Sequence, residues 1–152
     1  MLSLSSLEKH LAARLWPSHA GRWIVFVGLL ALCSAYIQGP LTKIFDFPGA
    51  LAEMDHFGLH PAPLFAVGVI VFELLMSALI LIGFYRWAAA SALAAFTLAA
   101  TFLAFRFWEL PPGMERAMAT NGFFEHIGLS GAFLLVACYD LRERASAGKA
   151  GQ

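Results

Sequence analysis

Four stretches of the chain are long and apolar enough to predict membrane-spanning helices. Residues 23–42 form an uncharged run of 20, residues 61–85 form a run of 25 with one charge at Glu73, and residues 87–105 form an uncharged run of 19. A helix needs about 20 mostly apolar residues to cross a hydrocarbon core of about 30 Å. The fourth run, residues 127–139, has 13 residues, so its span is predicted to begin near Asn121, which would act as the N-cap.

The runs divide the chain into three parts. Residues 1–20 are predicted to form an amphipathic segment on the cytoplasmic surface, because leucines recur at helical spacing, at Leu4, Leu7, Leu11 and Leu15. Residues 21–144 are predicted to form the membrane domain, with spans at about 22–43, 62–85, 87–106 and 121–140. Residues 145–152, rich in Ala and Gly, are predicted to be a mobile tail.

A short interfacial helix is predicted between the first two spans. Pro48 and Gly49 precede the segment 50–56, and Gly58 follows it. Proline near the start of a helix and glycine just past its end is the usual asymmetry of helix termini.

The composition agrees with a membrane protein of the all-α class. Hydrophobic residues make up 60% and charged residues 13% of the 152 positions, against roughly 45–50% and 25% in soluble domains. This excludes an ordinary cytosolic enzyme, a disordered chain and a disulfide scaffold. Ten basic residues balance ten acidic ones, so no nucleic-acid partner is predicted. The expected fold is a polytopic, compact four-helix bundle in the lipid bilayer, with short interfacial helices.

The distribution of Lys and Arg predicts the orientation. Seven of these residues flank the spans on the side of the termini, and three lie on the opposite side. Because positive residues accumulate on the cytoplasmic side, both termini are expected in the cytoplasm and the chain in the inner (plasma) membrane.

Small residues predict where the helices pack, since helices in lipid associate through close approach of their backbones. The expected contact residues are Ser91, Ala95 and Ala99 in the third span, Gly28, Ala31 and Ala35 in the first, and Gly128, Gly131 and Ala132 in the fourth.

Glu73 is the outstanding candidate for chemistry. It lies about ten residues from either end of its span, so near the centre of the bilayer at about 1.5 Å per residue. An acid at this depth indicates either a proton-exchanging or ligand-binding carboxyl, or a structural group that ties helices together.

Four other polar residues lie in the outer half of the predicted bundle, near the depth of Glu73. They are Tyr36, Gln38, Lys43 and His126. We expect these side chains to face Glu73 and form an intramembrane polar site. No metal site is predicted, because Gly58 and Pro61 interrupt the helix that would align His56 with His60.

Several segments resemble the DoxX family of small membrane proteins. They are residues 38–47 (QGPLTKIFDF), 58–63 (GLHPAP), 72–74 (FEL), 81–89 (LIGFYRWAA) and 121–128 (NGFFEHIG). The resemblance implies a four-helix membrane fold. It also implies a redox-associated component, since members of the family are linked to a terminal quinol oxidase, to thiosulfate:quinone oxidation and to oxidative-stress complexes.

Three functions follow as hypotheses. In the first, the chain is an accessory subunit of a quinone-linked redox system, in which a quinone binds near Glu73 and a redox partner subunit carries the electrons. The chain has no redox centre or catalytic motif of its own, so it would be at most a subunit of an oxidoreductase. The alternatives are a non-enzymatic membrane scaffold, and a small-solute or proton permease acting as a homo-oligomer.

Overall fold

Five α-helices make up the part of the chain that the structure describes, residues 19–150. In this computed structural model they are α1 (His19–Phe45), α2 (Phe47–His56), α3 (Ala62–Ile82), α4 (Arg86–Ala104) and α5 (Met114–Ala150), with a 3-10 turn at Phe107–Glu109. Helices α1, α3, α4 and α5 have the length and hydropathy needed to cross a membrane. The prediction of an all-α, four-span protein is confirmed. The predicted amphipathic segment 1–20 lies almost wholly outside the described residues.

The four long helices run alternately up and down. Helix α1 packs chiefly on α3, α3 on α4, and α4 on α5. The start of α1, the α3–α4 turn and the end of α5 therefore lie at one end of the bundle, called here the terminal end. Helix α2 and the 3-10 turn lie at the other, called the loop end. The central core is formed by side chains from all four long helices, among them Cys33, Ile80, Leu93 and Phe133.

The predicted packing residues were largely wrong. Helix α4 buries Ala90, Ala94, Thr97 and Thr101, whereas Ala95 and Ala99 are exposed and Ser91 is only half-buried. On α1 and α5 the small residues Gly28, Ala31, Ala35 and Gly128 are also exposed, with Gly131 and Ala132 half-buried. Small residues occur on every side of α4, so their spacing alone does not indicate which side meets a neighbouring helix.

Helix α2 confirms the short helix that was predicted between the first two spans. Asp46 caps it, since its side chain accepts a hydrogen bond from the backbone N–H of Gly49 at 3.0 Å. A Cβ at position 49 would collide with that carboxyl group, so a larger residue there would displace the cap. Ala50 and Met54 are buried against Ala62 and Ala66 at the start of α3. This packing holds α2 against the loop end of the bundle.

The last helix is longer than predicted. Helix α5 begins at Met114 and has 37 residues, so Asn121 lies inside it and the prediction of an N-cap there was wrong. Its start is held by aromatic packing, with Phe123 5.4 Å from Phe107 between ring centres. At about 1.5 Å per residue the helix is roughly 55 Å long, so it extends beyond a hydrocarbon core of about 30 Å. Residues 145–150, predicted to be a tail, continue the helix.

A buried acid on α5 holds the tight turn between α3 and α4. Gly83 and Tyr85 have positive φ angles of 80° and 45° there. Asp140 is 6% exposed and accepts hydrogen bonds from the backbone N–H of Trp87 at 3.3 Å and from Nε of Arg144 at 2.7 Å. Asp140 therefore caps the start of α4 from another helix, next to the positive end of its dipole.

Arg86 completes this network on the α3 side of the turn. Its Nε donates a hydrogen bond to the carbonyl oxygen of Ile80 at 2.8 Å, and its guanidinium lies 4.0 Å from Asp140. The last turn of α3, the start of α4 and the end of α5 are thus joined by one network of hydrogen bonds and ion pairs.

Replacing Asp140 should destabilise the bundle. We expect Asp140→Ala to lower the free energy of unfolding by about 2–4 kcal/mol, because the Trp87 N–H and the Arg144 guanidinium lose a largely buried acceptor and Arg86 loses its ion-pair partner. Denaturant titration of the purified protein in detergent, followed by circular dichroism, measures the change. The exposed neighbour Glu143 provides the control, Glu143→Ala, which should change stability by less than about 0.5 kcal/mol. Equal effects of the two substitutions would contradict the assigned role.

Candidate functional site

Glu73 lies in the middle of α3, on the side that meets α1. It is half-buried, and the ends of α3 at Ala62 and Ile82 are about 16 Å and 14 Å away along the helix axis at 1.5 Å per residue. Within the described residues no group donates a hydrogen bond to its carboxyl oxygens. A carboxyl group at this depth without a hydrogen-bond partner is costly in hydrocarbon, which makes Glu73 the candidate centre of a site.

Gly39 of α1 lies beside this carboxyl group. A Cβ built on Gly39 would lie 3.8 Å from Oε2 of Glu73, so any longer side chain would contact the acid. The place between α1 and α3 where Gly39, without a side chain, faces the Glu73 carboxyl is called here the Gly39 notch.

Pro40 adds a polar backbone group next to the Gly39 notch. It lies inside α1 and is fully buried. Because proline has no N–H, it donates no helical hydrogen bond to the carbonyl group of Tyr36, four residues earlier. The carbonyl group of Tyr36 therefore lacks its normal helical donor one turn from Gly39.

The hydroxyl group of Tyr36 faces the core and not the notch. It lies 2.5 Å from Oγ1 of Thr97, which itself donates to the carbonyl oxygen of Leu93 at 2.6 Å. A threonine hydroxyl has one hydrogen, so Tyr36 is the donor to Thr97. The Tyr36 ring packs edge-on against Phe133, with 5.2 Å between ring centres. Tyr36 thus joins α1 to α4 and α5 at the depth of Glu73.

Lys43 forms an ion pair on the loop-end side of Gly39. Its Nζ donates to Oε2 of Glu53 on α2 at 2.6 Å, and its side chain is 18% exposed. Glu73 lies within electrostatic range of both charges. Glu53 was not predicted as a site residue. In the sequence it lies between Ala50 and Met54, the buried residues of α2, and therefore on the edge of α2 that faces the bundle.

Two other predicted residues lie elsewhere. Gln38 is exposed, and its Nε2 donates to Oγ1 of Thr42 at 2.8 Å on the outer side of α1. His126 is half-buried on α5, where Nδ1 lies 2.8 Å from the carbonyl oxygen of Gly122 and the ring packs against Phe105. Neither set of contacts includes Glu73.

Ser77, one helical turn from Glu73, was missed by the sequence analysis. It is 1% exposed. Among the buried side-chain nitrogen and oxygen atoms of the described residues, its Oγ is the one without a hydrogen-bond partner. The fully buried thiol of Cys33 lies beside it. The i, i+4 spacing of Glu73 and Ser77, which puts them on one face of a helix, was the available signal.

The described residues 19–150 place no group of three or more His, Cys, Asp or Glu side chains where they could hold a metal ion. The chemistry offered by the site is that of one carboxyl group, which can donate a hydrogen bond when neutral, accept one when ionised and exchange a proton.

The sequence profile of the DoxX family matches residues 24–106, more than half of the 152 residues. This chain belongs to the DoxX family. No curated protein and no solved structure matches it at a significant level.

The segment that matches the DoxX profile contains the whole neighbourhood of Glu73. Tyr36, Gly39, Lys43 and Glu53 all lie within residues 24–106. His126 lies beyond the matched segment. The DoxX part of this chain therefore includes the carboxyl group, the notch and the ion pair.

Filling the Gly39 notch should block access to the carboxyl group. We expect a membrane-soluble carbodiimide to label Glu73 in the wild-type chain and several-fold less in Gly39→Val, because the added methyl groups would contact the acid. Mass spectrometry of the peptide containing Glu73 measures the labelling.

Gly28 provides the matched control for this substitution, since a Cβ there has no atom within 4 Å. Gly28→Val should be labelled like the wild type. Full labelling of Gly39→Val would show that the carboxyl is reached by another route.

Proposed function

We propose that this DoxX-family chain is an accessory component of a quinone-linked redox system, and that Glu73 binds the quinone head group. The observation that carries the proposal is the Glu73 carboxyl, which has no hydrogen-bond partner among residues 19–148 and lies beside the Gly39 notch. Quinones dissolve in the hydrocarbon core, so a ligand of this class reaches the notch directly from the bilayer.

The chemistry of the carboxyl fits both redox states of such a ligand. A neutral carboxyl donates a hydrogen bond to a quinone carbonyl, and a carboxylate accepts one from a quinol hydroxyl. The hydroxyl of Tyr36 already donates to Thr97, so Glu73 is the principal side chain in the notch for holding the head group. The electrons would be carried by a partner subunit.

The ion pair of Lys43 and Glu53 supports a role for Glu73 in proton exchange. It lies one helical turn from Gly39 towards the loop end, and the Glu53 side chain is 41% exposed. Charged side chains between a buried acid and the membrane surface are typical of proton pathways. A proton released from a quinol to Glu73 would leave the membrane on this side.

Replacing Glu73 should remove bound quinone. We expect Glu73→Leu, purified in mild detergent, to carry about tenfold less extractable quinone than the wild type, because leucine can neither donate nor accept a hydrogen bond and loss of a buried hydrogen-bond partner costs about 1–3 kcal/mol. Organic extraction followed by liquid chromatography measures the ratio of quinone to protein.

An exposed acid on α5, Glu125, provides the matched control. Glu125→Leu should keep the wild-type quinone content. Equal quinone content in all three proteins, or none in any of them, would reject the proposed function. Circular dichroism of each variant checks that the helices are intact.

We also propose that the terminal end of the bundle faces the cytoplasm of a cell with an inner membrane. The support is the excess of Lys and Arg at that end, seven against three. We expect a reporter active only in the cytoplasm to be active when fused after Gln152, and a reporter active only outside to be active when inserted at Gly113. The reverse pattern would overturn this orientation.

A further inference from the structure

The side of α1 that faces away from the bundle carries polar residues at membrane depth. Ser34, Gln38 and Thr42 are exposed and follow one another at single-turn spacing. They line a groove of about 530 Å³, called here the outer groove, together with Leu30, Ile37, Leu41, Phe45 and Asp46. In membrane proteins, Ser, Thr and Gln side chains hydrogen-bond across to neighbouring helices.

The amide of Gln38 is the group in the outer groove whose hydrogen bonds are incomplete. Ser34 donates to the carbonyl oxygen of Ala31 at 2.7 Å, and Thr42 donates to the carbonyl oxygen of Gln38 at 3.1 Å. The Gln38 amide donates one hydrogen to Thr42. Its second hydrogen and its oxygen have no partner among residues 19–148, and hydrocarbon offers none.

The same face is built for close approach of another helix. Gly28, Ala31 and Ala35 are exposed there, and a Cβ added to Gly28 would have no atom within 4 Å. Small residues let two membrane helices come close enough for their polar side chains to bond. At the end of the groove, Phe45 is 87% exposed and would be covered by such a neighbour.

We propose that the outer groove is a homodimer interface, occupied by α1 of a second copy of this chain. Two copies inserted in the same direction have each residue at the same depth in the membrane. A two-fold axis along the membrane normal therefore places Gln38 of one copy opposite Gln38 of the other. An amide both donates and accepts hydrogen bonds, and is therefore complementary to its own copy. Ser34 and Thr42 are likewise uncharged. Asp46, the charged residue that lines the groove, lies at its loop end, where its carboxyl group caps α2. This interface is independent of the proposed quinone site.

Disulfide trapping in native membranes tests the interface. In a Cys138→Ser background, which removes the exposed native cysteine and keeps the buried Cys33, Ser34→Cys should give covalent dimers on oxidation. Leu75→Cys is the control, because Leu75 is 50% exposed on α3 at a similar depth. We expect a several-fold higher yield of dimer from Ser34→Cys. Equal yields, no dimer, or trapping only to a different polypeptide would overturn the proposal.

A second measurement tests the role of the Gln38 amide. In lipid vesicles, Gln38→Leu should weaken dimerisation of fluorescently labelled protein about fivefold, the size expected for one interhelical hydrogen bond in a membrane. Val71→Leu, at an exposed position on α3, should leave the dimerisation constant unchanged. An unchanged constant for Gln38→Leu would contradict the proposed pairing of the amides.

Discussion

The structure depends on one constraint, which is that polar groups in hydrocarbon must find hydrogen-bond partners within the protein. Three polar side chains at or near membrane depth obey it by reaching across helices. Tyr36 donates from α1 to Thr97 on α4, Ser130 donates from α5 to the carbonyl oxygen of Ala94 on α4, and Asp140 caps α4 from α5. Each of these bonds joins two helices that hydrophobic burial alone would not hold in register, because lipid is as apolar as their side chains.

Glu73 and Gln38 are exceptions to this constraint. Both lie at membrane depth, both are reached from outside the bundle, and both have hydrogen-bonding capacity that residues 19–148 do not use. Gly39 lies beside Glu73, and its neighbour Gln38 lies about 100° away around α1, so the two unsatisfied groups face different surroundings. The carboxyl can donate, accept or exchange a proton, which suits a ligand. The amide can pair with an identical amide, which suits a second copy. One helix, α1, thus contributes to both proposals through adjacent residues.

The sequence predicted the features that depend on neighbours along the chain. The four spans follow from runs of apolar residues, helix α2 follows from Pro48 and the glycine past its end, and the depth of Glu73 follows from counting residues along α3. Contacts between different helices were harder to predict from the sequence. Glu53 and Asp140 were missed because each is one acid among several near a helix end. Asn121 was wrongly predicted to begin a helix, because the aromatic packing around Phe107 and Phe123 that supports the longer α5 brings together residues from different elements.

The sequence by itself determined that this is a four-span, all-α membrane protein of the DoxX family with one acid in the middle of its second span. Length and hydropathy are sufficient for the spans, because the thickness of the bilayer sets how many apolar residues a span needs, whereas the family follows from the segments that resemble DoxX. The tertiary structure alone decided which way each helix is turned, and therefore that Glu73 meets Gly39 while Gln38 and the small residues of α1 face outward. Rotation about a helix axis is set by side-chain packing between helices. In a helix that is apolar on every side, the periodicity of the sequence carries little information about that packing.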